Sequence, residues 1–137
     1  MRDELKTRCD AIEEAYEFML AYAAQGVPRD SGNQSSGQLS HLLTRAVDAL
    51  SGLAGLVLEI AEKDRLEPPE SYQAFAATLQ RDADTTSTIL QLILSQASIS
   101  SQLIDNVNAS IHVRALLTDL FVIDEILRPQ PFTAESA

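Results

Sequence analysis

Apolar residues recur along this chain in alternating steps of four and three, the spacing that places side chains on one stripe of an α-helix. Leu5, Cys9, Ile12, Tyr16, Met19 and Ala23 form the first stripe and predict a helix from about Asp3 to Gln25. Asp3 and Glu4 fall in its first turn, where the helix dipole favours negative charge. Gly26 suits the position just past a helix end, and Pro28 prevents continuation. Residues 27–37 (VPRDSGNQSSG) carry no apolar period and read as a loop, long for a helix-to-helix connection. A second helix is expected from about Gln38 to Leu66, with Leu39, Leu43, Ala46, Leu50, Leu53, Val57 and Ile60 on its stripe. Leu42, Ala49, Leu56 and Ala61 widen that stripe, so this helix is expected to be covered on more than one side. Gly52 and Gly55 in its middle each cost about 1 kcal/mol against Ala. Their expected use is close approach of a neighbouring helix.

Glu67-Pro68-Pro69-Glu70 ends the second helix and opens a third, since Pro is tolerated in a first turn. Tyr72, Ala76, Leu79, Ala83, Thr86, Leu90, Ile93 and Ala97 form the third stripe, flanked by Phe75 and Leu94. The Ser-rich stretch 95–102 is expected to break the chain, with Ser98, Ser100 or Ser101 as helix cap. The four-three register nevertheless continues through Ile104, Val107 and Ile111, so one long fused helix is the alternative. A fourth helix then runs to about Leu127, ended by Arg128-Pro129. The expected fold is all-α: an antiparallel, up-down four-helix bundle over residues 1–128, followed by a flexible tail over 129–137. There is no strand-period segment and no internal repeat.

Composition narrows the partners more than the fold. The 137 residues carry a net charge of −10 and a pI near 4.4. Nucleic-acid binding draws on Lys and Arg clusters, and the chain has no basic run, so neither a nucleic acid nor an anionic membrane surface is expected as partner. A single cysteine, Cys9, excludes an intrachain disulfide. No apolar run approaches the roughly 18 residues of a membrane span. The N-terminus has mixed charge and no apolar core of a secretory signal. The expected location is the cytoplasm.

Chemistry-bearing residues are sparse. Carboxylate-bridged metals in bundles need Glu-x-x-His pairs on facing helices, but Gln38 precedes His41 by three and Ala109 precedes His112 by three. Glu14/Glu17 and Glu59/Glu62 have a shared-face spacing but lie off the apolar stripes. His41 also lies off its stripe and is expected at the surface, where a phosphotransfer bundle keeps its phosphoacceptor; no flanking motif supports that role. His112 is expected to bond a carboxylate such as Asp105 or Asp119. Cys9 is expected to be a buried, inert thiol. No phosphate-binding glycine loop and no nucleophile elbow occur. The chain is therefore expected not to be an enzyme and to hold no cofactor.

From Thr85 to Ile104 there is no charged residue, although charges are frequent elsewhere. Interface centres are depleted in charge. Thr85, Thr88, Gln91, Ser95, Gln96, Ser98, Ser101 and Gln102 are accordingly the candidate interface residues. The leading functional expectation is a non-enzymatic accessory or regulatory module that binds another protein or itself, the latter as a homodimer. A phosphotransfer bundle using His41 is the first alternative, and a carboxylate metal-binding bundle is the second.

Overall fold

Six helices stand where four were expected, because two of the predicted helices are each broken in two. In the computed structural model, which describes residues 1–29 and 34–128, they are α1 (Arg2–Ala24), α2 (Gln34–Leu50), α3 (Leu53–Lys63), α4 (Pro69–Leu94), α5 (Ser101–Asn108) and α6 (Ile111–Leu127). No strand occurs among the described residues. The predicted tail over 129–137 and residues 30–33 of the predicted loop lie outside them. α2 begins at Gln34, four residues earlier than expected.

The first break corrects the reading of the glycines. Gly52 adopts a left-handed conformation (φ 75°) between α2 and α3, a region that L-residues with a Cβ avoid. A Cβ at Gly52 or at Gly55 would meet nothing within 4 Å, so neither glycine serves close helix approach. The bend exposes the last carbonyls of α2, which need partners. Arg8 of α1 supplies them: its guanidinium donates to the carbonyls of Asp48 (3.4 Å), Ala49 (3.2 Å) and Ser51 (2.5 Å). The same side chain is held by Glu4 one turn earlier, at 3.1 Å.

The second break is the expected serine one, and the fused long helix is not realised. α4 ends at Leu94, and the Ser100 hydroxyl caps α5 by accepting from the Leu103 N–H at 3.1 Å. A third break was not foreseen: Ser110 caps α6, accepting from the Val113 N–H at 3.4 Å. The C-terminus of α3 closes differently. Leu66 N–H reaches back to Ala61 O (2.9 Å) and Arg65 N–H to Glu62 O (3.3 Å). These are the paired bonds of a Schellman turn, with Arg65 in the left-handed position (φ 52°) usually given to glycine.

The stripes read from the sequence meet in one apolar core to which all six helices contribute. Leu39, Leu43, Leu53, Leu79, Ile104, Leu116, Leu120 and Ile123 are fully buried, each contributing on the order of 1.5–3 kcal/mol. α1 packs along α2 and α5, α3 lies along α4, and α4 is also flanked by α2 and α6.

Polar staples fasten α5 to the end of α1. The Ser101 hydroxyl donates to Tyr22 O (2.6 Å) and accepts from Val27 N–H (2.7 Å), while Ser101 N–H donates to Val27 O (3.0 Å). Asn108 adds a bond from its amide to Met19 O at 3.1 Å, and the fully buried Tyr22 donates its phenol to Ile99 O at 2.5 Å. The bonds from Ser101 satisfy the Val27 backbone N–H and carbonyl, just past the end of α1, which would otherwise be buried unpaired.

Candidate interaction face

α4 and α6 run antiparallel side by side. The Thr86 hydroxyl of α4 donates to His112 O at the start of α6 at 3.4 Å. One turn back along α4, Asp82 meets Asp119, two turns further along α6. Two rows of side chains border this junction. On α6, Ile111, Ala115, Asp119, Val122 and Ile126 follow one another in steps of four, four, three and four, so they share a face. On α4, Thr78, Asp82, Thr85, Ile89 and Leu92 alternate steps of four and three and do the same.

The rows leave much apolar surface uncovered. Leu92 is 65% exposed, Ile111 74%, Val122 43% and Ile126 54%. Single exposed apolar residues are ordinary, whereas several on adjoining faces mark interaction surfaces. Asp119 lies among them and is only 9% exposed. Its Oδ2 is enclosed by the fold, and Asp82 is the group that the carboxyl meets. Burial foremost, then the hydrogen bond and the charge of Asp82, push the Asp119 carboxyl up to about 7. Desolvation and a neighbouring like charge both disfavour the ionised form.

The charge-free stretch divides when its side chains are placed. Thr85, Thr88, Gln91, Ser95, Gln96 and Gln102 are exposed, and Ser98 is half-buried. Ser101 is a correction: it is 4% exposed and committed to the α1 staples, so it offers nothing to a partner. Several neighbours are also spent on groups within the fold. The Ser95 hydroxyl donates to Leu92 O (2.6 Å), the Ser98 hydroxyl to Arg29 O, and the Thr88 hydroxyl to Asp84 O (2.9 Å). Gln96 donates to Leu92 O at 3.0 Å, and Gln102 to Asn106 Oδ1 at 3.2 Å. Part of the missing charge thus reflects turn and cap chemistry, in which short hydroxyl side chains outperform long charged ones. Thr85 and Leu92 remain as outward side chains on the row that borders the seam, whereas Gln91 stands half a turn around α4 from Asp82.

His41 is exposed on α2, as expected, beside Glu14, Phe18, Gln38 and Leu42 in a shallow depression. His112 is exposed, and its ring bonds neither Asp105 nor Asp119, contrary to expectation; only its backbone carbonyl is engaged. Among the described residues, no group of three or more His, Cys, Asp and Glu is arranged to hold a metal. Glu14, Glu17, Glu59 and Glu62 are all exposed. Cys9 is buried at the base of a groove of about 470 Å³ between α1 and α6, together with Leu5, Ile123 and Leu127. Burial, reinforced by Glu13, Asp124 and Asp10, pushes its thiol up to about 12, so it stays protonated and unreactive at neutral pH. The groove's rim is self-paired through Lys6–Asp10 at 3.0 Å and Arg128–Asp124 at 3.0 Å.

Sequence reasoning missed Asp82 and the pairing role of Asp119. The signal was present: Asp119 stands three residues after Leu116 and four before Ile123, on a stripe that is otherwise apolar.

No protein-family model, curated protein or solved structure matches this chain. No helix of the described residues is long and apolar enough to cross a membrane.

Proposed function

We propose that the chain is a non-enzymatic interaction module that docks a partner protein through the α4–α6 face. The observation that carries this reading is the uncovered apolar row of Ile111, Val122 and Ile126 beside Leu92. Burying such side chains against an apolar helix face of a partner gains about 25 cal/mol per Å² of area removed from water. The neutral Thr85 on the adjoining α4 row can be desolvated at lower cost than a charge. A net charge of −10 opposes pairing of two copies at low ionic strength, which favours a different protein as occupant.

Site-specific photo-crosslinking in cells that make the protein tests this. A crosslinker at Ile111 or Val122 is expected to trap the same species, one at Thr44 on α2 is expected not to, and Ile126→Lys is expected to abolish the product. A product containing two copies of this chain, or trapping that ignores position, would overturn the reading.

A further inference from the structure

We propose that α6 is held in the bundle by a proton-operated latch: with a proton between Asp82 and Asp119 the helix stays closed on α4, and loss of that proton populates a state in which α6 swings out about residues 109–110. The latch goes beyond the docking face and stands without it. The way α6 is attached supplies the moving part. α6 lies mainly against α4, with lesser contact to α1 and α5. Two residues, Ala109 and Ser110, join it to α5, and α5 is itself fixed to α1 through Ser101 and Asn108. At its far end the exposed Arg2 donates to Leu127 O. A short joint at one end and an exposed clip at the other give α6 a hinge and a free side.

Among the described residues, two polar contacts cross from α6 to α4. The bond from Thr86 to His112 O is long, at 3.4 Å. The other is the carboxyl pair, at the midpoint of α6. Asp119 is buried among Leu116, Leu120 and Ile123, and Asp82 is half-buried. Two carboxylates only accept hydrogen bonds, so this contact is a bond when one of them carries a proton. Without the proton it becomes a repulsion between like charges where burial weakens screening. No neighbouring cation relieves it. On α4, Arg81 is exposed and donates to the Thr78 hydroxyl at 3.3 Å, and the exposed Asp84 accepts from Gln80. On α1, Lys6, Asp10 and Glu13 gather with Asp124 around Cys9, on another flank of α6. On α5, Asp105 is exposed beside Val27 and Gln102. Of the other charges on α6, Asp124 and Glu125 hold Arg128 at 3.0 Å and 3.8 Å, while His112 and Arg114 are exposed.

The direction of the switch follows from burial. Closed, Asp119 is pushed up to about 7; swung out, its carboxyl returns to its ordinary 3.8. The latch is therefore at full strength below about pH 4 and is lost as pH rises to about 7. Between pH 5 and 7 the ratio of open to closed molecules rises at least about tenfold. Ile111, Val122 and Ile126 ride on α6, so the same proton governs how firmly that apolar row is held in place.

Cys9 serves as the reporter, because it is the chain's single thiol and α6 covers it with Ile123 and Leu127. The full-length chain is treated with a pyridyl disulfide reagent that labels thiols down to acid pH, and each rate is divided by that of the urea-unfolded chain at the same pH. The quotient is expected to rise at least about tenfold from pH 5 to 7 in the wild type. It is expected to stay level in Asp119→Asn, whose amide can donate to Asp82 at every pH. In low urea it should climb less steeply than global unfolding does, since swinging out one helix exposes less surface. Carbon-13 NMR of the aspartate carboxyls, which needs no variant, should show one that titrates near neutral pH. Carboxyls that all titrate in the ordinary aspartate range, the same pH dependence in wild type and Asp119→Asn, or a urea slope equal to that of global unfolding would each overturn the latch.

Discussion

Replacing Gly52 and Gly55 separately by alanine has opposite expected outcomes, although the two glycines are three residues apart in the same stretch. In an unbroken helix both substitutions would stabilise, each by about 1 kcal/mol. In this fold only Gly55→Ala should. Gly55 lies within α3, and a Cβ there meets nothing within 4 Å, so the gain is the helix propensity of Ala, about 0.5–1 kcal/mol. Gly52 stands at φ 75° with the same open surroundings, so sterics with neighbours play no part. Alanine there meets the left-handed penalty of roughly 1–2 kcal/mol, offset by up to about 1 kcal/mol of unfolded-state entropy. The net loss is about 0.5–1 kcal/mol, and the two variants should differ by about 1–2 kcal/mol. For a chain of this size that separates their melting temperatures by several degrees, about 4 °C per kcal/mol. Denaturant unfolding followed by circular dichroism reads both values directly. Equal stabilisation by the two substitutions would refute the bend and restore a single helix across residues 38–66.

Four further outcomes follow from named contacts. Ser101→Ala should cost about 1–3 kcal/mol, because it strands the buried Val27 N–H; urea midpoints check this, and a loss of binding without loss of stability would contradict the staple. Arg8→Met should cost about 1–2 kcal/mol by uncapping α2, and Arg8→Lys should restore only part of it, since a point charge cannot span three carbonyls. Arg65→Gly should stabilise by about 0.5–1 kcal/mol at the left-handed end of α3, visible as a raised melting temperature. Asp119→Asn should change the pH profile of stability. The folded-state carboxyl is raised from 3.8 to about 7, so its contribution is full below about pH 4 and lost as pH rises to about 7. The wild type minus variant difference in unfolding free energy should therefore fall across that window and level off above it.

The helical stripes were legible because core burial and the four-three period are the same information written twice. Gly26 past the end of α1 and the serine break before α5 were legible too, since both use local chemistry that one residue type performs best. The breaks at Gly52 and Ser110 were hidden by their neighbours. Leu50 and Leu53 are both buried on either side of Gly52, so the apolar register crosses the bend undisturbed. Val107, Ile111 and Leu116 similarly disguise the cap at Ser110, and Ile111 turns out to be exposed rather than core. The charge-free stretch misled in one respect: Ser101 looks like Ser95 in sequence, and only tertiary contacts show that it is consumed inside the fold. The acid pair was obscure for the converse reason, since two aspartates 37 positions apart meet only once α4 and α6 lie together.

The reciprocal bonds between Val27 and Ser101 join residues 74 positions apart. During synthesis at about 5–20 residues per second, roughly 4–15 s pass between the emergence of one partner and the other. Throughout that interval the turn that follows α1 lacks its hydrogen-bonding partner. The Val27 amide and carbonyl must meanwhile be served by water or by a chaperone. The turn after α1 therefore keeps an open polar seat until eight residues made much later, Ser101–Asn108, arrive to fill it.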